Sequence, residues 1–309
     1  MEQSETKKIK DPIYGYVSIP SQYMKDIIDT SVFQRLRRVI QTSYTPLYSS
    51  VLHNRFVHSL GVLHLGRIVA ERLTDVIIKN NYLDDNIAWK YGATYQIACL
   101  LHDIGHAPFS HTGEIYYRND NFSVIDLHKR LCELVSSEEF IKDLPLENES
   151  AAPHEIMSAI FGISEFGSII GDDECKELFA RCITGYLYKR KTSANEIKNC
   201  FIGMLNSKVI DVDRLDYLIR DAYTSGFATI TIDYMRLLNA LTIIKYNGQY
   251  EIAYKKDAVS VIENVVYAHD AERKWIQNYP VVLYEAYIIK HILEHLNKKM
   301  NRKNHKLFS

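Results

Sequence analysis

The sequence predicts a mostly α-helical protein with a small β-hairpin. Apolar residues recur at threes and fours through several long segments, and Asn247-Gly248 stands between two β-like runs, ITIIKY and QYEIAY. Strands and helices do not alternate in βαβ order, which argues against a Rossmann-type sheet.

In chain order, Asp11 to Ile19 (DPIYGYVSI) reads as a short strand or hairpin edge because its tyrosines and β-branched residues favour extended backbone. Past Pro20 the pattern turns helical, and Thr30 or Ser31 can cap a helix with Phe33, Leu36 and Ile40 on one side and Arg35, Arg37 and Arg38 among the polar positions. His58 to Lys79 is a long helix, with Val62, Leu65, Val69, Leu73 and Val76 on one face; Ile87 to Asp103 is another, ended by Gly105 and Pro108. Residues 119–150 are polar and irregular around a helix from Val124 to Val135. Pro153 then opens a helix from His154 to Phe161. Further helices are expected at Asp173 to Tyr188, Asn195 to Leu205, Val212 to Ala222, Ile232 to Ile243 with Thr231 as cap, and Val259 to Leu296. The expected organisation is a flexible terminus over 1–10, a core over 11–230, and a helical extension with the hairpin, packed on the core, over 231–309.

Composition narrows the function classes. The chain has 309 residues, 47% of them hydrophobic, which is enough for a sizeable core and excludes a disordered chain. Its formal net charge of −1 supplies no global basic field, so a nucleic-acid partner is not favoured, although the basic tail NKKMNRKNHK leaves room for a phosphate contact. Cys99, Cys132, Cys175, Cys182 and Cys200 form no CxxC pair and read as reduced thiols. The polar start MEQSETKKIK has no apolar run behind it, and no segment has the roughly 20 apolar residues of a membrane helix, so no membrane partner and a cytoplasmic location are expected.

The chemistry concentrates in LLHDIGHAPFSH, Leu100 to His111, where an apolar helix runs into His102-Asp103. Charged groups are seldom buried unless paired or metal-bound. Adjacent helical residues diverge by about 100° around the axis, so an ion lying between the two directions can take a ligand from each. His106 follows one turn later, and Gly105 and Pro108 let the chain bring Ser110-His111 back beside the site. Any one of these histidines alone would read as a packed helix-end residue; the grouping argues for a metal. The other candidate ligands interrupt apolar helices: His58 in HNRFVHSLG, and Asp213 in VIDVDRLDYLIRD, where Val212, Leu215 and Ile219 mark a buried face. Two imidazoles and two carboxylates suit a divalent ion such as Mn²⁺, Fe²⁺, Zn²⁺, Ni²⁺ or Mg²⁺, which can polarise a phosphoryl group and acidify a bound water.

Six blocks in order, DPIYGYVSI, FQRLRRVIQ, HNRFVHSLG, LLHDIGHAPFSH, PHEIMS and VIDVDRLDYLIRD, cover most of Asp11 to Asp221. Together they resemble the HD-domain phosphohydrolase superfamily, and within it the deoxynucleoside-triphosphate triphosphohydrolases of the sterile-alpha-motif-and-HD-domain type. The resemblance implies an HD-domain helical fold, with His58, His102, Asp103 and Asp213 as ligands of a divalent metal. It implies His154 as general acid toward the leaving group, held by Glu114, with His106 and His111 lining the phosphates. Arg55 and Arg214 would supply counter-charge, Gln41 would read the sugar, Tyr217 would pack on the deoxyribose and Asp221 would lie near its 3′-hydroxyl. It further implies a nucleotide substrate, with a deoxynucleoside triphosphate favoured, and a homo-oligomer. In the implied reaction water attacks the α-phosphorus and deoxynucleoside and triphosphate separate.

The chain departs from that pattern in three places. Glu114 stands where close relatives often carry aspartate, and Arg214 where the vertebrate enzyme has lysine, which keeps charge but not geometry. The family's later arginine-histidine-tyrosine block is poorly matched in AHDAERKWIQNYP, where Tyr279 alone is a candidate, and control by nucleotide-driven tetramers is not expected. Two other readings stay open: an HD hydrolase of another nucleotide or of single-stranded nucleic acid, and a nucleotide-binding sensor without catalysis. HDIGHAP lacks the acidic pair of the alarmone hydrolases, and the GYP motif of the cyclic-dinucleotide branch is absent. His53, His64, His128, His269, His291 and His295 read as surface or packing residues.

Overall fold

The computed structural model describes residues 6–41, 48–117, 124–146, 150–227 and 231–301. The fold is mostly α-helical, and the strands among the described residues form two separate two-stranded antiparallel sheets. One of these was not expected as such: Thr6–Asp11 (β1) pairs with Gly15–Pro20 (β2). The Asp11 carboxylate accepts from the backbone N–H of Ile13 and Tyr14 at 2.8 and 3.0 Å, which closes the turn. The expectation of a flexible terminus over 1–10 is therefore corrected for residues 6–10, which belong to a paired strand; residues 1–5 lie outside the described set.

Two long helices form the centre, α1 (Arg55–Lys79) and α2 (Asp85–Leu101), which make the most extensive helix–helix packing in the molecule. Asn54 caps α1 by accepting from Val57 N–H, and Asp84 caps α2 by accepting from Asn86 N–H. Around them lie α3 (Val124–Val135), α4 (Glu138–Asp143), α5 (Pro153–Ile170), α6 (Asp173–Thr184), α7 (Ser193–Leu205) and α8 (Val212–Ser225). Helix α5 runs nine residues past its expected end because Ile163, Phe166 and Ile170 continue its buried stripe. Helix α6 stops four residues early, at Gly185, whose φ of 72° ends the turn. One hydrophobic cluster extends from Val17 to Ala268 and so crosses the expected boundary near residue 230. Each Leu, Ile or Val fully buried in it contributes roughly 1.5–3 kcal/mol.

The C-terminal part differs most from expectation. The helix expected from Ile232 to Ile243 is only α9 (Tyr234–Asn239), and Asp233, not Thr231, accepts the capping bond from Arg236 N–H. From Leu241 the chain is strand β3 (Leu241–Tyr246), paired with β4 (Gln249–Tyr254). The β-branched Thr242, Ile243 and Ile244 prefer the pleated surface. Asn247 and Gly248 turn the hairpin with φ of 49° and 83°, as a type I′ turn requires. The single helix expected from Val259 to Leu296 is two, α10 (Val259–Glu272) and α11 (Pro280–Asn301), separated by the π-turn Arg273–Gln277 and Pro280, which cannot continue a helix. Ile40, expected on one side of a helix with Phe33 and Leu36, is 44% exposed because the chain leaves helical geometry after Arg38. All five cysteines are free, and among the described residues no helix is long and apolar enough to cross a membrane.

A buried ionic cluster ties the first hairpin to α1 and α8. Asp216 accepts from Arg220 Nε and NH2, both at 2.9 Å, and from the Tyr14 hydroxyl at 2.8 Å; Arg220 NH1 reaches Asp11 at 3.1 Å. Helix α1 approaches this cluster so closely that a Cβ on Gly61 would lie 1.8 Å from Asp216 Oδ1 and 2.5 Å from Arg220 NH2. A Gly61→Ala variant is therefore expected to lose about 2–3 kcal/mol of stability, read as a lower melting temperature, because the methyl displaces a buried ion pair.

Candidate metal centre

Four side chains from three segments converge beside the ionic cluster. His58 sits on the first turn of α1, and Asp213 on the first turn of α8, where Asp211 caps the helix by accepting from Arg214 N–H at 2.7 Å. His102 and Asp103 follow the last residue of α2, where the chain turns toward Gly105, whose N–H donates to Ser158 Oγ at 2.8 Å. His58 Nε2 lies 3.2 Å from His102 Nε2, 2.9 Å from Asp213 Oδ1 and 3.6 Å from Asp103 Oδ2. His102 Nε2 lies 3.5 Å from Asp103 Oδ1 and 3.6 Å from Asp213 Oδ1.

These donors fit a divalent ion. With ligand bonds of about 2.1 Å, neighbouring donors are about 3.0 Å apart in an octahedron and about 3.4 Å apart in a tetrahedron. Both histidines also have their second nitrogen engaged: His102 Nδ1 donates to the Cys99 carbonyl at 2.9 Å, and His58 Nδ1 pairs with Asp216 Oδ2 at 2.7 Å. That leaves both Nε2 atoms directed at the carboxylates, the arrangement in which outer partners orient metal-binding imidazoles. His58, His102 and Asp213 form one group able to hold an ion, and His106, His111, Glu114 and His154 form another.

The electrostatics agree with a cation between these groups. Burial alone would lower the His58 pKa, but hydrogen bonds to Asp213 and Asp216 raise it to about 10, so without a metal a proton takes the cation's place. Burial opposes ionisation of Asp213 too, yet His102 and His58 hold its carboxyl far below the usual range. Asp103 is likewise held well below, against its burial, chiefly by the Arg55 guanidinium 2.5 Å away. Two carboxyls have the opposite shift: burial pushes Asp211 up to about 7, helped by Asp213, and burial pushes Glu155 up to about 7.

Beside the four donors lies a chain of imidazoles. Glu114 Oε1 bonds both His154 Nδ1 and His111 Nδ1 at 2.7 Å, and the His106 ring stacks on His154 with centroids 4.1 Å apart. His106 is fully buried, and its Nε2 lies 3.2 Å from Asp103 Oδ1. Three of the donors, His102, Asp103 and Asp213, and one member of this chain, His154, line a cavity of about 110 Å³ together with Glu155 and Arg214 among others.

The remaining expected site residues are placed less uniformly. Arg55 is buried and bonds Asp103 and Ser110, with His111 Nε2 3.3 Å away, so it anchors the metal side as well as facing the imidazoles. Arg214 lines the cavity, but its guanidinium is engaged by the carbonyls of Val209 and Ser207 and by the Tyr217 hydroxyl. Gln41, Tyr217 and Asp221 are not among the cavity's lining residues. Gln41 instead meets Ser110 and His53 through its backbone, and Asp221 lies 2.9 Å from His53 Nε2. His53, read from sequence as a packing residue, thus belongs with this group. Tyr279 is 39% exposed on the turn before α11.

Sequence reasoning also passed over Asp216. Its signal was the i,i+4 spacing to Arg220 beside the apolar Leu215 and Leu218, a charge pair on a face that has to be buried.

Residues 55–184 match the HD domain family. That segment carries an HD domain, and HD domains bind divalent metals. The chain is similar to SAMHD1-like proteins. It is 31% identical over 246 residues to the "Deoxynucleoside triphosphate triphosphohydrolase SAMHD1 homolog" of Dictyostelium discoideum, covering 78% of this chain and 41% of that protein. It is also 31% identical over 260 residues to the "Uncharacterized protein MG461 homolog" of Mycoplasma pneumoniae, covering 82% of this chain and 52% of the relative. The chain spans about half the length of the curated relatives it matches. A crystal structure of a hypothetical protein from Aquifex aeolicus is similar in fold, with a TM-score of 0.66 and 24% identity, covering 94% of this chain and 65% of that one.

Two outcomes are expected at this centre. Asp216→Asn removes the charge behind His58 and is expected to weaken metal binding by about 10–100-fold, measured by competition with a chelating dye. A metal must also displace the His58 proton. Apparent affinity is therefore expected to rise with pH, approaching tenfold per unit below about pH 10, with proton release visible in calorimetry across buffers of different ionisation enthalpy.

Proposed function

We propose that this protein is a metal-dependent hydrolase of deoxynucleoside triphosphates that releases deoxynucleoside and triphosphate. The observation that carries this reading is His154, held by Glu114 at 2.7 Å and lining one cavity with His102, Asp103 and Asp213. An electrophilic site and a proton donor for the leaving oxygen are the two requirements of phosphate-ester hydrolysis. The dNTP assignment draws on the similarity to proteins named deoxynucleoside triphosphate triphosphohydrolases, including that of Gallus gallus at 28% identity. The reading retains a homo-oligomeric, cytoplasmic enzyme.

When bound by His58, His102, Asp103 and Asp213, a divalent ion supplies Lewis-acid polarisation of the phosphoryl group and a more acidic water. The chain's own residues do the rest. Asp216 and the Cys99 carbonyl fix the two imidazoles, and Arg55 keeps Asp103 ionised. Arg214 and Arg55 offset the charge of the phosphates. His154 gives its Nε2 proton to the leaving 5′-oxygen while Nδ1 stays on Glu114, which fixes the ring's orientation and stabilises its charged form.

The deciding experiment measures bound metal and incubates the protein with dNTPs and NTPs, identifying the phosphate products beside a His102→Ala, Asp103→Ala double variant. Triphosphate release that disappears in the variant is expected. Monophosphate or pyrophosphate products would overturn the reading in favour of another HD hydrolase, and nucleotide binding without turnover would favour a sensor.

His154→Ala is expected to lower kcat by about 10²–10⁴ with metal content unchanged. Burial lowers the His154 pKa, and the Glu114 hydrogen bond partly opposes this. Because the acid form is required, kcat/KM should fall as pH rises through that pKa. Glu114→Gln removes the opposing charge and should move this fall to lower pH, whereas Glu114→Asp should leave it nearer the original position.

A further inference from the structure

A cavity of about 510 Å³ lies where helix α7 and strand β4 meet the chain leading into α8. Sites for small organic ligands run to roughly 300–1,000 Å³. Met204, Ile210, Ile252 and Ile262 give this cavity apolar walls, and two carboxylates, Glu196 and Glu251, stand among them. Ser207 also lines the cavity of the metal donors; the other lining residues of the two differ.

We infer that this cavity is a binding site for a small organic cation, a protonated amine carried on an apolar body, separate from the metal centre and independent of the hydrolase reading.

The charge of the ligand follows from the lining. Among the described residues no lysine or arginine lines the cavity, so a phosphate or carboxylate would find no counter-charge there. Glu196 accepts from the Tyr250 N–H at 3.0 Å, and neither it nor Glu251 has an ion-pair partner among the described residues. The neighbouring cation, Lys245, lies over the Tyr250 ring instead, 5.3 Å from its centroid. Burial pushes the Cys200 thiol up to about 12, and the charges of Glu251 and Glu196 add to that shift, so the field of both carboxylates reaches this buried wall. The Tyr254 hydroxyl has one hydrogen-bond partner among the described residues, the Met204 thioether 3.7 Å away. A hydroxyl that donates keeps its lone pairs, and these can accept from an ammonium group.

The apolar body has a place as well. Gly203 lies inside α7, where glycine is less favourable than alanine. A Cβ built on it would meet open space. The missing side chain leaves the cavity open above Met204 and Ile210.

The test uses the full chain with Mn²⁺ present and three probes of similar shape: phenethylamine, phenethyl alcohol and hydrocinnamate. Binding is measured by calorimetry and by ligand-observed NMR, with melting temperatures as the folding control. Phenethylamine is expected to bind saturably and at least about threefold tighter than the alcohol, and hydrocinnamate not to bind. Glu196→Gln keeps an acceptor for the Tyr250 N–H while removing the charge. It and Glu251→Gln should each weaken the amine about two- to fivefold and leave the alcohol unchanged. Gly203→Leu fills the open space and should weaken both amine and alcohol at least about tenfold. The His102→Ala, Asp103→Ala double variant should bind the amine as the parent does. Absence of saturable amine binding in the parent, or equal binding of the three probes, would overturn the inference. Amine binding that survives Gly203→Leu but is lost in the double variant would place the amine on the metal donors and would overturn it too.

Discussion

The buried Asp216 carboxylate is the point on which the centre depends. It accepts from Arg220 and Tyr14 and holds His58 Nδ1, so one side chain joins the first hairpin, α1, α8 and the candidate metal site. A carboxylate with no exposure is costly unless every lone pair is matched. Here the matching partners are also the parts that set the geometry of the donors. Gly61 belongs to the same constraint: the absence of a side chain lets α1 come close enough for His58 to reach both Asp216 and Asp213.

The site is built so that charge is balanced by position as well as by pairing. On the metal side, carboxylates face two imidazoles whose outer nitrogens are committed. On the other side, one carboxylate, Glu114, serves two histidines, and its ionised form is stabilised by both despite burial. His106 lies between the two sides, neutral because burial and the nearby Arg55 cation disfavour its charged form. The arrangement sets a region suited to hold a cation beside a region suited to move a proton, with His154 lining the cavity of the donors.

The helical extension takes part in this architecture. The hairpin β3–β4 packs on α7, and α11 packs on the segment Ser110–Tyr117 that carries His111 and Glu114. A second small cluster, Val51, Ile276 and Val282, fastens the start of α11 to the loop preceding α1. The residues after 230 are thus part of the surroundings of the site.

The sequence by itself determined the helical class, the β3–β4 hairpin and the candidate donors, because each is written locally. Periodicity marks the helices, Asn-Gly marks the turn, and His58, His102, Asp103 and Asp213 stand where charge interrupts apolar stripes. The helix from Val124 to Val135 was legible to the residue for the same reason. Only the tertiary structure decided which distant groups meet. The contacts of Asp216 with Tyr14, of Asp221 with His53 and of α11 with the Ser110–Tyr117 segment join residues far apart in the chain, and no local pattern encodes a partner so distant. It also decided where helices yield: Leu241 to Tyr246 carries enough apolar residues for either state, and pairing with β4 against α7 makes it a strand. Local propensity proposes an element, but burial and pairing across the fold select the one that forms.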